Sequence, residues 1–257
     1  MVFPADHDVR DEDEFRDVLK EAARVALTGA IATVGLAPTR PETGYGYIEV
    51  GAPLGAEFPR AARVQRFVEK PNRQRAEEFL AGGRHVWNGG MFFFRTSRMK
   101  QAIASHLPAL AEGLDKLDHA ALAGHEPATL ARVFPTLPSI SIDHGVMEHE
   151  PDLAVVRGSF GWSDVGSWES AWELSPKDAA DNADGTPAIY VDAKRNLVRD
   201  LRSSESAGDR PRVIALVGVE DLVVVQTDDA LLVMRRDRAQ DVRAVVDELK
   251  RSGSRAL

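Results

Sequence analysis

The sequence predicts an α/β domain over residues 1–178, followed by a small β-rich domain with a closing helix over residues 186–257. Three observations carry this division. Apolar runs of strand length alternate with segments of helical period as far as Leu174. The polar stretch PKDAADNADGTP, residues 176–187, then breaks the pattern and reads as a linker. Beyond it, short β runs follow one another with no helix between them until the last segment.

In order, Met1–Phe3 reads as strand and Pro4 ends it. Asp11 and Asp13 stand before Phe15, Val18, Leu19, Ala22 and Val25, which is the pattern of a helix with acids in its first turn. Ala30–Leu36 is the next strand, closing at the turn APTRPETG, and Tyr45–Val50 and Arg63–Val68 are two more. Arg73–Leu80 is a helix stopped by Gly82 and Gly83. Gly90–Phe94 is an apolar strand, after which Thr96 or Ser97 caps a helix to about Ser105. Residues 107–138 read as helices with polar loops, and Ser141 or Asp143 opens a short helix through Met147. Leu153–Val156 is a strand, GSFGWSDVGSW a loop, and Trp168–Leu174 a helix. The β runs of the second domain are Ala188–Val191, Leu197–Arg199, Val213–Val217, Leu222–Gln226 and Ala230–Met234, separated by Asp-, Asn- and Gly-rich turns. Val242, Val245, Val246 and Leu249 form the stripe of a closing helix.

Composition narrows the function. With 44% apolar residues the chain can bury a core. A formal net charge of −8 argues against nucleic acid as partner, although local amides, a lysine and a metal ion still suffice for small phosphates. There is no cysteine, which excludes disulfides, thiolate catalysis and Cys-ligated zinc. Apolar stretches such as Met91–Phe94 and Leu222–Val225 are far too short to cross a membrane, and the acidic N-terminus has no apolar signal core. The expectation is a cytoplasmic protein without a membrane partner.

The common motifs for nucleotide loops, zinc proteases and serine hydrolases are missing, and the seven histidines show no metal-ligand spacing. Four loops remain. In PADH, Asp6 follows a strand end, where open α/β sheets place ligand groups; a capping or turn aspartate is the plainer reading. In FVEKP, Glu69 and Lys70 meet at a strand end stopped by Pro71, and alternation would turn them to different parts of one ligand; an exposed charge pair is the plainer reading. In TGYGY, Gly44 and Gly46 flank Tyr45 and allow close backbone approach, or simply a hairpin. In GWSDVGSW, two Trp and two Gly surround Asp164, either as a shaped pocket or as a buried turn. Asp6 and Asp164 together would suit Mg²⁺, which takes one or two carboxylates plus substrate phosphates.

Taken together, PADHDVRDEDEF, PTRPETGYGYI, RFVEKP, WNGGMFFFR, SIDHGVME, GWSDVGSWESAWELSPKD and GVEDLVVVQTDDALLV resemble, in order and over nearly the whole chain, the mannose-1-phosphate guanylyltransferase (GDP-mannose pyrophosphorylase) family. The resemblance implies a Rossmann-like, GT-A-like mixed sheet with a small C-terminal β-helix-like appendage. It implies a reaction of GTP with mannose 1-phosphate giving GDP-mannose and pyrophosphate. By position, Asp6 and Asp164 resemble the Mg²⁺ ligands, and Lys70 the lysine at the sugar phosphate. Glu69, Asn88 and the backbone of Gly44, Tyr45 and Gly46 resemble the groups that hold mannose hydroxyls. A homodimer is left open.

Two departures stand out. Gly89 occupies the place where the family usually has Ser, which would loosen the sugar loop. The glycine-rich, Arg-bearing GTP loop that opens the family does not occur in these 257 residues. The expectation is therefore a sheet whose N-terminal strands are missing, inactive as it stands and poorly soluble, with unpaired edges beside Ile31–Leu36. Two alternatives remain: a catalytically dead regulatory or interaction subunit that keeps a sugar pocket, and a nucleotidyltransferase for another hexose 1-phosphate.

Overall fold

A computed structural model describes residues 1–183, 185–203 and 213–254. The chain forms two compact units, Met1–Trp162 and Ser163–Leu257.

In the first unit, α1 (Glu12–Leu27) starts where the sequence places it. The Asp11 carboxylate accepts the Glu14 amide at 3.0 Å, and three acids in the first turn complement the helix dipole. Val18, Ala22 and Val25, one stripe at helical spacing, are wholly buried. Asp11→Ala is expected to cost about 1 kcal/mol of stability, read from the urea midpoint, with no change in the fold.

Five strands make the sheet: β2 (Ile31–Leu36), β3 (Tyr47–Pro53), β4 (Ala61–Val68), β5 (His85–Phe93) and β6 (Leu153–Gly158). Their order is β2-β5-β3-β4-β6, and the ring closes into a barrel because β6 also runs parallel to β2. The other ladders are antiparallel. The open edges expected beside Ile31–Leu36 do not arise. All six of these residues pair with β6, four of them also pair with β5, and all six are buried. The two faces of β2 separate as a strand's period requires: Ala32, Val34 and Leu36 pack with α1, whereas Ile31 packs with Ile48, Met147 and Leu153. Gly35 permits this closeness, since a Cβ there would lie 2.5 Å from Val155 Cγ2 and 2.6 Å from Val86 Cγ2.

The N-terminal strand expected at Met1–Phe3 is a single bridge, in which Val2 exchanges two hydrogen bonds of 2.9 and 3.0 Å with Phe92. A two-residue strand, β1 (Asp8–Val9), follows it. Helix α2 (Arg73–Gly82) is capped by Asn72 and stopped by Gly83 at φ +63°. Helix α3 (Thr96–His106) has Arg95 at its cap position and no side-chain cap, so neither Thr96 nor Ser97 plays that part. Helices α4 (Pro108–Leu122) and α5 (Glu126–Val133) fill the helical region. The short helix near Asp143 is a π turn, Asp143–Met147, closed by the Glu148 amide donating to the Asp143 carbonyl at 3.0 Å.

The boundary between the units falls within β7 (Trp162–Ser163). The second unit holds α6 (Trp168–Leu174), β8 (Ala188–Val191), β9 (Leu197–Asp200), β10 (Ile214–Val217), β11 (Leu222–Gln226), β12 (Leu231–Arg235) and α7 (Val242–Ser252). β8 pairs in parallel with β10, and β9 with β11. Pairing with the next strand but one, in parallel, is what a chain coiling into a β-helix produces. The turn expected between Leu197–Arg199 and Val213–Val217 lies largely in residues 204–212, outside the described residues.

The run 176–187 is not a solvated tether. The Asp178 carboxylate accepts the amides of Ala180 (2.9 Å) and Asn182 (2.8 Å). Asn182 is buried, and its Oδ1 accepts both the Asn196 amide and the Asn196 side chain. Asn196 in turn accepts the Leu222 amide at 2.9 Å. These side chains satisfy turn amides from one coil to the next, so a polar stretch becomes a buried rung. Arg236 joins α6 to this coil: its guanidinium lies 3.5 Å over the Trp172 ring and pairs with Glu169 and Asp221. The closing helix forms, but none of its residues is fully buried.

Candidate active site

Strand β4 ends at Val68, and the next two residues are Glu69 and Lys70. Lys70 adopts φ +45°, in the left-handed region that non-glycine residues rarely occupy. Alternation along an extended strand would turn the two side chains apart. The left-handed turn instead brings the Lys70 ammonium to the Glu69 carboxylate, 2.7 Å from Oε1. The Glu69 side chain is only 8% exposed, while that of Lys70 is 59% exposed. One end of the pair is thus fixed in the protein and the cation faces outward.

Gly46 lies against both this carboxylate and Asn88. A Cβ on Gly46 would sit 2.6 Å from Glu69 Oε2 and 3.2 Å from Asn88 Cβ. The Gly46 carbonyl accepts the Asn88 amide at 2.8 Å. The Asn88 carbonyl oxygen accepts the Thr33 hydroxyl (2.9 Å) and the Gly90 amide (3.2 Å), while its Nδ2 donates to Asp143 Oδ1 at 3.0 Å. Gly89 does not loosen a loop. It lies inside β5, where a Cβ would stand 3.1 Å from the Val34 carbonyl oxygen.

The loop before β3 is braced by its own charges and rings. Glu42 accepts the Gly44 amide at 2.9 Å and pairs with Arg40 at 3.2 Å. Tyr45 is buried edge-on against Trp87 and Trp162, with centroids 5.1 and 5.3 Å away.

Sequence reasoning passes over Asp143 and Glu148, although both lie in the stretch SIDHGVME. Two acids five apart around a glycine in a short helix are the available signal. Glu148 Oε1 accepts the Glu69 amide at 2.9 Å, and Oε2 lies 3.1 Å from His144 Nδ1. Burial pushes the Glu148 carboxyl up, but the Glu69 amide and His144 outweigh it and hold it below its ordinary value. Burial, and after it the charge of Glu69, push Asp143 above its ordinary 3.8. The folded chain therefore binds a proton at Asp143 more readily than the unfolded chain. Its stability falls as pH rises from about the unfolded value through the folded one. Asp143→Asn, which keeps an acceptor for Asn88, is expected to raise Tm at pH 7, and this gain should vanish in melts below pH 3.8.

Asp6 is exposed in a bend before β1 and makes no hydrogen bond or ion pair among the described residues. Its neighbour His7 accepts the Trp162 indole N–H through Nδ1 at 2.9 Å, so its proton sits on Nε2. A cavity of about 280 Å³ beside it is lined by residues that include Phe3, Pro4, Val9 and Phe15. Asp164 belongs to the second unit. It is half-buried, and its Oδ1 accepts the Gly166 amide at 3.0 Å across Val165, at φ +51°. No group of three or more metal-binding side chains occurs among the described residues.

Comparison with known proteins decides the family. The family model described as Nucleotidyl transferase matches residues 1–181. The chain belongs to the nucleotidyl transferase family. A second model, for the MannoseP isomerase/GMP-like beta-helix domain, matches residues 187–249 of this nucleotidyl transferase family member, in agreement with the parallel coil. The chain is 42% identical to the xanthan biosynthesis protein XanB of Xanthomonas campestris pv. campestris (strain B100), over 98% of this chain and 51% of that protein. It is 39% identical to a mannose-1-phosphate guanylyltransferase of Klebsiella pneumoniae, over 98% of this chain and 52% of that protein. The crystal structure of a mannose-1-phosphate geranyltransferase from Thermus thermophilus superposes with a TM-score of 0.78 at 38% identity, covering 97% of this chain and 69% of that one. The chain spans about half the length of the curated relatives it matches. No helix among the described residues is long and apolar enough to cross a membrane.

Proposed function

We propose that this chain serves guanylyl transfer from GTP to mannose 1-phosphate, giving GDP-mannose and pyrophosphate. The observation that carries the reading is the convergence of Gly46, Glu69 and Asn88 on one spot, with the exposed Lys70 ammonium at its rim. A fixed carboxylate, a fixed amide and backbone groups suit neutral hydroxyls, and the outward cation suits one phosphate. In this reading Gly44, Tyr45 and Gly46 shape the sugar side, Glu69 and Asn88 hold hydroxyls, and Lys70 meets the sugar phosphate. A phosphate oxygen of the sugar then attacks the α-phosphorus of GTP in line, the bond to the β-phosphate oxygen breaks, and pyrophosphate leaves. No protein nucleophile is needed, so positioning and charge neutralisation carry the rate.

Asp6 and Asp164 are the proposed Mg²⁺ ligands. Carboxylate oxygens are the right donors for this hard cation, and Asp6 has no competing partner among the described residues. Bound there, Mg²⁺ would neutralise phosphate charge. Residues 1–178 are the catalytic part of the proposal, residues 186–257 the β-helical part, and the cytoplasm the place of action.

The 257 residues alone are expected to bind the sugar phosphate without turning it over, because their sequence holds no glycine-rich loop for the triphosphate. The test is twofold. Calorimetry should detect mannose 1-phosphate binding to the chain as written, and GTP-dependent pyrophosphate release should appear once such a loop is supplied upstream. No binding at millimolar sugar phosphate would overturn the reading. Turnover by the 257-residue chain alone would overturn the expectation of inactivity.

A further inference from the structure

We propose that the π turn Asp143–Met147, with Glu148 behind it, is the positioning element of the sugar site: Asp143 sets the orientation of the Asn88 amide, and Glu148 sets the backbone of Glu69. The inference rests on the sugar-phosphate reading for its ligand, but its geometry stands apart from it.

The Asn88 amide can be assigned without ambiguity. The Gly90 amide is only a donor, so the oxygen of Asn88 must face it; the Asp143 carboxylate oxygen accepts, so the nitrogen must face that. Thr33 fills the second lone pair of the oxygen. One Nδ2 proton remains without a partner among the described residues. Asn88 is therefore held as a donor toward a ligand hydroxyl and cannot offer its carbonyl instead. Thr33 and Gly90 hold the oxygen and Asp143 holds the nitrogen, so the three contacts share control of the one torsion that orients this planar amide, and Asp143 is the only ionisable side chain among them.

On the other side of the turn, Glu148 accepts the Glu69 amide at 2.9 Å. That bond pins the backbone just before Lys70, whose left-handed conformation needs a support outside its own strand. Residues five apart stack in a π turn, and the 3.0 Å bond from the Glu148 amide to the Asp143 carbonyl is of that kind. A single turn thus places one acid under Asn88 and another under Glu69. Neither acid is asked to touch the substrate; both act through the residues they hold.

The test is a double-mutant cycle on mannose 1-phosphate binding, with Asp143→Ala and Asn88→Ala made singly and together. Asp143→Ala is expected to weaken binding about tenfold in the wild-type background and less than twofold in the Asn88→Ala background, since the effect passes through Asn88. Asp143→Asn, which retains an acceptor, should restore most of the affinity. Equal losses in both backgrounds, or a loss below twofold in the wild type, would overturn the proposal. The ¹⁵N spectrum of the Asn88 side chain, assigned by its disappearance in Asn88→Ala, gives a readout that needs no ligand. Its two Nδ2 protons should be widely separated in the wild type and in Asp143→Asn, and close together in Asp143→Ala. An Asn88 signal indifferent to Asp143→Ala sinks the inference. Failure of the wild-type chain to bind mannose 1-phosphate sinks the functional reading instead, and the spectrum then decides this one.

Discussion

Lys70→Ala is expected to lower kcat/KM for GTP-dependent pyrophosphate release by about 10²–10³-fold, in the form of the protein active in that assay, while leaving Tm nearly unchanged. The side chain is more than half exposed and its ammonium is held by Glu69, so little packing is lost with it. What is lost is the cation at the rim. Backbone and side chain can be separated by a second variant. At φ +45° any residue with a Cβ is strained, so Lys70→Gly should be more stable than Lys70→Ala by about 1 kcal/mol and equally inactive. Near-normal turnover in both variants would remove Lys70 from the reaction.

Gly46→Ala is expected to have the second large effect, and through a different cause. The backbone there is ordinary, so the substitution brings no conformational strain of its own. The methyl group would nevertheless lie 2.6 Å from Glu69 Oε2 and 3.4 Å from Phe67 Cζ. The Glu69 carboxylate must swing away, taking the Lys70 contact with it. Overpacking of this kind costs about 1–3 kcal/mol of stability, and sugar-phosphate affinity should fall more than tenfold. Gly82→Ala is the control: nothing lies within 4 Å of a Cβ there, and it should change stability by about 0.5 kcal/mol or less, or improve it. A Gly46→Ala variant that binds mannose 1-phosphate as the wild type does would show that Glu69 is not a hydroxyl ligand.

Much of the fold is readable from period and punctuation. The acids before α1, the stripe Val18, Ala22 and Val25, the stop at Gly83 and the short β runs of the second unit all lie within a few residues of where local rules put them. The misses share a cause, which is that composition stands in for partners. The run 176–187 is polar and reads as solvated, yet Asn182 is buried because Asn196 and Asp178 satisfy it. Open edges beside Ile31–Leu36 are a natural expectation because pairing between β2 and β6 joins residues more than a hundred positions apart, which no local pattern reports. At the site, strand ends and resemblance point to Glu69, Lys70 and Asn88. They do not point to the two acids that hold them, because neither strand alternation nor the 3.6-residue period links position 143 to position 148. Lys70 turning back onto Glu69 is hidden for a similar reason: alternation assumes an extended backbone, and the backbone there is left-handed.

The π turn has one more consequence, for the kinds of sequence change this site can survive. In an ordinary α-helix, five residues advance the direction of a side chain by about 500°, leaving the first and sixth positions roughly 140° apart. Asp143 and Glu148 share a side only because this turn is one residue wider than an α-turn. Deleting one residue between them would leave the acids four apart, about 40° from each other in an α-helix and so still on one side, whereas inserting one would leave them six apart and about 120° out of phase. A one-residue deletion here would therefore turn the π turn into an ordinary helical turn that keeps the two acids together, an insertion would part them, and a side chain at Gly145 would have to displace Leu107, whose Cδ1 lies 2.7 Å from a Cβ built there.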